Sequence, residues 1–344
     1  MDEREHLAAA LAQHPTVPGV SVAVMRGGAA TWAGAAGVSD ASTGRALSAE
    51  QPLHACSMTK LVTATVVLAL TERGLVDLDA DVAATHDVPL TRAASAGDRP
   101  VTLRHLLAHV AGIVDADGSF EPVARGDGTP DLADLLRGRT SAHAGPVTVA
   151  ATPGTRFAYS DGGYAVVEHV IEVATGRPYD DVARELVLDP LGLARAVLRR
   201  RTADAPAAAT GHGPAGRPVE DGWALYPALG GAGLWCTPRD VAVLLSDLRR
   251  SWTEDGGRLL TAATARQILD GAEAEPHAGL GLFLPAGDGR VVSTHGWGVG
   301  FQCAARLDVE SGDGVVVMTN CDPGRPQPES VVGALLQTLG PTTV

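Results

Sequence analysis

The hydrophobic patterning of this 344-residue chain predicts an α+β fold: one antiparallel sheet built from both ends of the chain, flanked by helices, with a large, mainly helical insertion. Near the start, Gly19 to Arg26 and Ala30 to Val38 alternate in polarity around Gly27-Gly28, the pattern of a β-hairpin. Near the end, Gly279 to Leu284, Arg290 to His295, Phe301 to Leu307 and Gly314 to Thr319 read as strands again. Between them, from Met58 to about Leu269, the pattern is mostly helical. The expected division is a discontinuous sheet unit, residues 1–55 and 275–344, and a mainly helical unit, residues 56–274, with the active site in the cleft between.

Taken in order, residues 4–13 form an expected first helix, and Pro52 to Cys56 read as extended or turn-like. Leu61 to Leu70 is apolar almost all round, as in a buried helix, and the helix signal stops at Gly74. Further helices are expected at 102–109, 131–137, 162–175, 179–187, 238–250 and 261–270, and a final amphipathic one at 329–339. No internal repeat or low-complexity linker interrupts them. The loop of about residues 114–150, rich in Gly, Asp and Ala, is expected to border the cleft.

Composition excludes several functions. A hydrophobic content of 45% describes a globular core, and with aromatics at 4% that core rests on Ala, Val and Leu. The net charge of −13 leaves no basic stripe to neutralise phosphates, which argues against nucleic acid as a partner. Arg199-Arg200-Arg201, the densest basic spot, reads as a solvated turn. No apolar run is long enough to span a membrane, and the charged start lacks the features of a secretory signal. Cys56, Cys236, Cys303 and Cys321 share no metal or disulfide frame, so the expected location is the cytoplasm.

Lys60 is the only lysine; arginine carries all the other basic charge. A lysine amine can be made neutral by its surroundings, whereas arginine stays protonated. In Ser57-Met58-Thr59-Lys60 the two chemical groups are three residues apart, on one face of a helix. That places an amine beside a hydroxyl at the positive end of a buried helix, a suitable position for a nucleophile in acyl transfer. Cys56 has no histidine at a telling spacing and ranks below Ser57 as nucleophile. His105 and His109, four residues apart, are weak metal candidates, because no acidic residue completes a metalloprotease pattern. No metal or cofactor is expected.

Three clusters in order resemble the class C β-lactamase-like serine hydrolases of the β-lactamase/DD-peptidase superfamily, which also includes esterases, D-amino-acid peptidases and acyltransferases. Ser57-Met58-Thr59-Lys60 resembles the first motif of that family. Tyr159-Ser160-Asp161, after the Pro153-Gly154 turn, resembles its Tyr-x-Asn element, and His295-Gly296-Trp297-Gly298 its Lys/His-x-Gly strand. Supporting segments are Leu103 to Ile113, which resembles the family's Leu-Leu-x-His-x-Ser-Gly segment, Asp189 to Leu193 and Gly231 to Asp240. The resemblance implies that Ser57 attacks an acyl carbon, with Lys60 or Tyr159 as general base. It implies that the Lys60 ammonium lowers the Tyr159 phenol pKa. The oxyanion would be held by the Ser57 N–H and by that of Trp297 or Gly298. His295 would touch substrate or only hydrogen-bond, and Trp223, Tyr226 and Trp235 could line an acyl or aglycone pocket, with packing the alternative for Trp235.

Two departures bear on substrate. Asp161 stands where the family usually has Asn. Turned to Lys60, its carboxylate would keep the amine cationic; turned to substrate, it would favour an ammonium group and repel a carboxylate. Trp297 stands where glycine is usual, in a segment one residue short before Phe301. The expected activity is hydrolysis of a small ester or amide through a Ser57 acyl-enzyme. A biosynthetic acyltransferase with an amine or alcohol acceptor is the close rival, and a binding protein that has lost turnover is the distant one. The oligomeric state is not legible.

Overall fold

The structure is a computed structural model, and it describes residues 2–120, 130–140, 145–200, 207–219, 226–254, 256–270, 272, 275–284 and 290–341. The chain opens with α1 (Glu3–Gln13), started by a capping box between Asp2 and Glu5. The hairpin β1 (Gly19–Arg26) and β2 (Ala29–Asp40) follows, with β3 (Arg45–Ala46) on its outer edge and then β4 (Leu53–His54). A 3-10 turn, Cys56–Met58, leads into α2 (Thr59–Glu72). Every residue of α2 from Thr59 to Leu70 is buried, which its all-round apolar sequence requires.

The middle of the chain holds α3 (Val82–His86), β5 (Thr91–Arg92), α4 (Leu103–Leu107), α5 (Leu132–Leu136) and β6 (Thr148–Val149). The long α6 (Asp161–Thr175) is capped by the Ser160 side chain, and α7 (Tyr179–Ala183) passes into a turn of π-helix at Arg184–Leu188. Then come β7 (Val197–Leu198), α8 (Leu229–Ala232), β8 (Leu234–Cys236), α9 (Pro238–Thr253) and α10 (Ala262–Arg266). The chain closes with β9 (Val291–Gly298), β10 (Phe301–Asp308), β11 (Gly314–Thr319) and α11 (Val331–Leu339).

The main sheet is antiparallel with the order β3-β2-β1-β11-β10-β9, so its two central strands come from opposite ends of the chain. Both faces are covered. Val20, Val22, Val24, Val315 and Val317 pack on one side with α1 and α11. Ala23, Met25, Val316 and Met318 face the other way, into the core that contains α2. That is why β1 and β11 are apolar almost throughout rather than alternating. On this second face α9 lies across β1, β2 and β11. Among the described residues, no helix is long and apolar enough to cross a membrane.

Three expected elements differ. Gly279 to Leu284 is not a strand but a tight loop with bridges at Ala278–Phe283 and Phe283–Ser293. Gly281 has φ +79°, and a side chain there would come within 2.7 Å of the Lys60 carbonyl. The expected helix 102–109 ends at Leu107, and His109 adopts φ 57°, which turns its ring back towards the cleft. The 179–187 helix widens at its end, where Asp189 N–H reaches back five residues to the Arg184 carbonyl.

Leu68 is fully buried at the centre of α2. Leu68→Ala should cost about 2–5 kcal/mol of unfolding free energy in chemical denaturation. A loss below about 1 kcal/mol would remove α2 from the centre of the core.

Candidate active site

The first cluster assembles where the 3-10 turn meets α2. Cys56 adopts φ 47°, a left-handed conformation that a non-glycine residue holds only when its surroundings enforce it. Those surroundings are visible: Ala55 N–H donates to the Leu234 carbonyl, and Thr59 Oγ1 donates to the Cys56 carbonyl at 2.6 Å. One helical turn later Lys60, almost fully buried, extends its amine back to Ser57 Oγ at 3.0 Å. The same Nζ donates to Asp161 Oδ1 at 2.5 Å and to the Gly231 carbonyl at 3.0 Å.

Of the two orientations open to Asp161, the structure therefore has the one towards Lys60. Burial alone would lower the Lys60 pKa. The Asp161 carboxylate, with a further contribution from Tyr159, outweighs it and raises the amine above its ordinary value. Lys60 is an ammonium here.

Tyr159 is not a core residue: its ring is 42% exposed, while its hydroxyl end interacts with Lys60 and Ser57. The ring lies 4.9 Å from Lys60 Nζ and stacks on His109 at 4.3 Å. The expectation of a lowered phenol pKa is corrected. Desolvation raises it, and the nearby Asp161 carboxylate adds to the rise, so together they outweigh the lowering by Lys60.

Two residues that the sequence reading did not place in the site hold these groups. Asp115 Oδ2 accepts the N–H groups of Asp161 (2.6 Å) and Gly162 (3.1 Å), while its Oδ1 accepts the Ser160 hydroxyl at 2.9 Å. It thus caps α6 and sets the angle at which Asp161 leaves the helix. Nothing in the spacing around Asp115 signals this, because its partners lie about 45 residues on. His109 was a weak metal candidate. Its Nδ1 instead accepts the Ser160 N–H at 3.2 Å, and burial followed by the charge of Lys60 holds its pKa well below the ordinary value. A neutral ring under Tyr159 fits a positioning role, and the resemblance to a family segment was its only sequence signal. Among the described residues, no group of three His, Cys, Asp or Glu could hold a metal ion.

The third cluster forms the opposite wall. Gly296 of β9 packs so closely on the Ser57 turn that a Cβ there would lie 2.4 Å from the Ala55 carbonyl. Only glycine permits that approach. Ser293 exchanges both backbone hydrogen bonds with Phe283, on the free edge of β9 away from β10. The β9–β10 register runs without a bulge, so by alternation the Trp297 N–H faces that free edge and the Gly298 N–H faces Phe301. The Val299 N–H is taken by the Tyr226 hydroxyl at 3.1 Å. Of the two N–H groups left open by the sequence, Trp297 is the one directed into the cleft.

His295 lines a small enclosure with Ser57, Lys60, Tyr159 and Phe283, and hydrogen-bonds to Ser293 Oγ at 3.1 Å. Burial, then Arg306, lowers its pKa. The Trp297 indole is 44% exposed and donates to Asp322 Oδ1 at 2.7 Å. Tyr226 also lines the pocket, whereas Trp235 is buried packing against His54 and Phe301; Trp223 lies outside the described residues. Cys56 does have a histidine partner, His54 Nδ1 at 3.3 Å, but its thiol is buried.

Together these residues border a pocket of about 350 Å³ whose floor is Ser57 and whose walls include Asp161, Tyr226, Gly231, Trp297 and Asp322. The arrangement offers a hydroxyl nucleophile, a fixed cation beside it, a phenol within reach and backbone N–H groups for an oxyanion.

Comparison with known proteins gives the family and the fold. The beta-lactamase family model matches residues 6–338. Penicillin-binding protein 4 of Amycolatopsis lactamdurans is 32% identical over 261 residues, covering 72% of this chain and 64% of that protein, a little under two thirds of its length. Esterase EstB of Burkholderia gladioli is 29% identical over 353 residues, covering 90% and 88%. Among solved structures, a D-stereospecific amidohydrolase from Streptomyces sp. superposes with a TM-score of 0.74 at 23% identity, covering 98% of each chain. That likeness establishes the β-lactamase/DD-peptidase fold. With all but the first five and last six residues matched, the chain belongs to the beta-lactamase family.

Proposed function

We propose that this chain is a serine acyl-transfer enzyme that hydrolyses a small ester or amide through an acyl-enzyme at Ser57. The observation that carries this reading is the 3.0 Å contact between Lys60 Nζ and Ser57 Oγ at the floor of the pocket. Because Lys60 donates in that contact and is held as a cation, it cannot also take the serine proton. That task falls to Tyr159. The reactive form is the Tyr159 phenolate, reached when the phenol gives its proton to solvent. As Ser57 Oγ bonds to the acyl carbon, its proton passes to that phenolate, and the carbonyl electrons move onto an oxygen held by the Ser57 and Trp297 N–H groups. The phenol then returns the proton to the departing alcohol or amine. Water then gives a proton to the same group and attacks the acyl carbon; the Ser57 Oγ–acyl bond breaks, the acid leaves, and the phenol returns the proton to Ser57 Oγ.

The charged side chains among the described pocket-lining residues are both carboxylates, Asp161 and Asp322. Asp161 is turned to Lys60 and neutralised by it, so Asp322 is the carboxylate that favours neutral or ammonium-bearing acyl donors and disfavours donors that carry a carboxylate, as β-lactams do. A second reading, transfer to an amine or alcohol, is supported by the exposed Trp297 indole, which can screen the acyl-enzyme from water. Adding an amine during turnover separates the two, since transfer yields an amide and hydrolysis an acid. Four buried, unpaired cysteines fit a reducing compartment, the cytoplasm.

Intact-protein mass after fluorophosphonate treatment should show one adduct in the wild type and none in Ser57→Ala. That variant should also lose at least about a thousandfold in kcat/KM on an activated ester with its unfolding midpoint kept. An unlabelled wild type would favour the binding-protein reading.

The protonation states predict a pH profile. Lys60 and Tyr159 both lie above their ordinary values, and Asp161 raises both. Activity that needs the phenolate therefore increases with pH. Asp161→Asn removes the carboxylate, which destabilises the ammonium and stabilises the phenolate. The ascending limb of kcat/KM should move to lower pH. A limb that stays in place would remove Asp161 from control of the base.

A further inference from the structure

Glu168 is completely buried and takes no part in the chemistry above. It follows Asp161 by seven residues on α6, two turns along the same face. Its Oε2 accepts the N–H groups of Leu229 (2.6 Å) and Gly230 (2.8 Å), and its Oε1 accepts Arg200 at 2.7 Å. The same guanidinium donates to the Pro227 carbonyl. One ion pair therefore grips the backbone at residues 227, 229 and 230. The carbonyls of this segment face α2: Gly230 accepts Thr63 Oγ1 at 2.7 Å, and Gly231 accepts Lys60 Nζ at 3.0 Å.

Of the three acceptors around Lys60, α6 thus supplies one directly, Asp161, and governs a second through Glu168. We propose that Glu168 is a positioning residue for acyl transfer: with Arg200 it fixes the Leu229–Ala232 turn so that the Gly231 carbonyl holds the Lys60 amine beside Ser57. This rests on the reading of Ser57 and Lys60 given above. An isosteric amide at position 168 retains one acceptor oxygen and sets an NH₂ against either Arg200 or the two N–H groups, so the turn loosens.

Lys60 is the only lysine, so protein labelled with ¹³C at lysine Cε gives one signal from that chain. The groups facing Lys60 are Asp161, Tyr159, Tyr164, His109 and Cys56. In the wild type, with Asp161 holding the charge, the signal should not begin to titrate by about pH 11, above the ordinary lysine range. In E168Q, the midpoint should fall by about one unit or more, and kcat should fall about tenfold with KM within about twofold.

Asp247→Asn is the control. Asp247 is an equally buried carboxylate that holds the backbone N–H groups of Arg258 and Leu259 and pairs with Arg250. Its loss should lower stability and leave the Lys60 signal in place. An unmoved Lys60 signal in E168Q, or an equal shift in D247N, would overturn the proposal. If E168Q does not fold, R200Q, which cuts the same clamp from its other side, is read in the same way. The signal does not depend on turnover. A shift in E168Q in a protein that takes no fluorophosphonate adduct would retain the clamp and reject the acyl-transfer reading.

Discussion

A single buried ammonium organises this site. Lys60 sits on a helix with no polar face, and an ion in such a place is tolerated only when paired and fully hydrogen-bonded. Three of its partners come from three separate segments: Ser57 from the turn before α2, Asp161 from the start of α6, and Gly231 from α8. Satisfying one amine therefore fixes the mutual placement of α2, α6 and α8. The pocket is what remains in front of that junction.

A second constraint acts from the sheet side. The edge strand β9 must approach the Ser57 turn until backbone meets backbone, which is why Gly296 lies against the Ala55 carbonyl. The turn in turn carries Cys56 in a left-handed conformation, held by Thr59 and by the strand β8 that pairs with β4. Strain of this kind persists only where the surroundings over-determine it. Here they do, because the same contacts hold the Ser57 turn between α2, which carries Lys60, and Gly296 of β9.

Legibility followed the range of each interaction. The Ser57–Lys60 pair is local, three residues on a helix, and the spacing alone placed it. The sheet from both termini was legible because buried strands such as Gly314–Thr319 are apolar along their whole length. Elements whose ends depend on distant packing were not. The Gly279–Leu284 segment has the composition of a strand, yet its glycines let it fold closely against Lys60. Asp115 and Glu168 act on residues 46 and 61 positions away, and no local pattern marks a carboxylate that binds backbone N–H groups at that distance. The Tyr159 pKa was misjudged for a related reason. Its sign depends on burial and on Asp161 as well as on the nearby cation.

Two carboxylates, Asp115 and Asp161, stand together at the first turn of α6, where mutual repulsion would be expected to disfavour them. The position offsets part of the cost, although burial and the Asp161 charge still hold the Asp115 pKa above its ordinary value. The free N–H groups and positive dipole end of a 15-residue helix favour anions, and Asp115 takes two of those N–H groups directly. Asp161 is then free to turn away from the helix and neutralise Lys60. An asparagine in its place would give the amine a hydrogen bond without the charge, and proton transfer could then be shared between lysine and phenol. With aspartate the division in the proposed mechanism is stricter: Lys60 would serve as a fixed cation, and the mobile proton would belong to Tyr159 and Ser57.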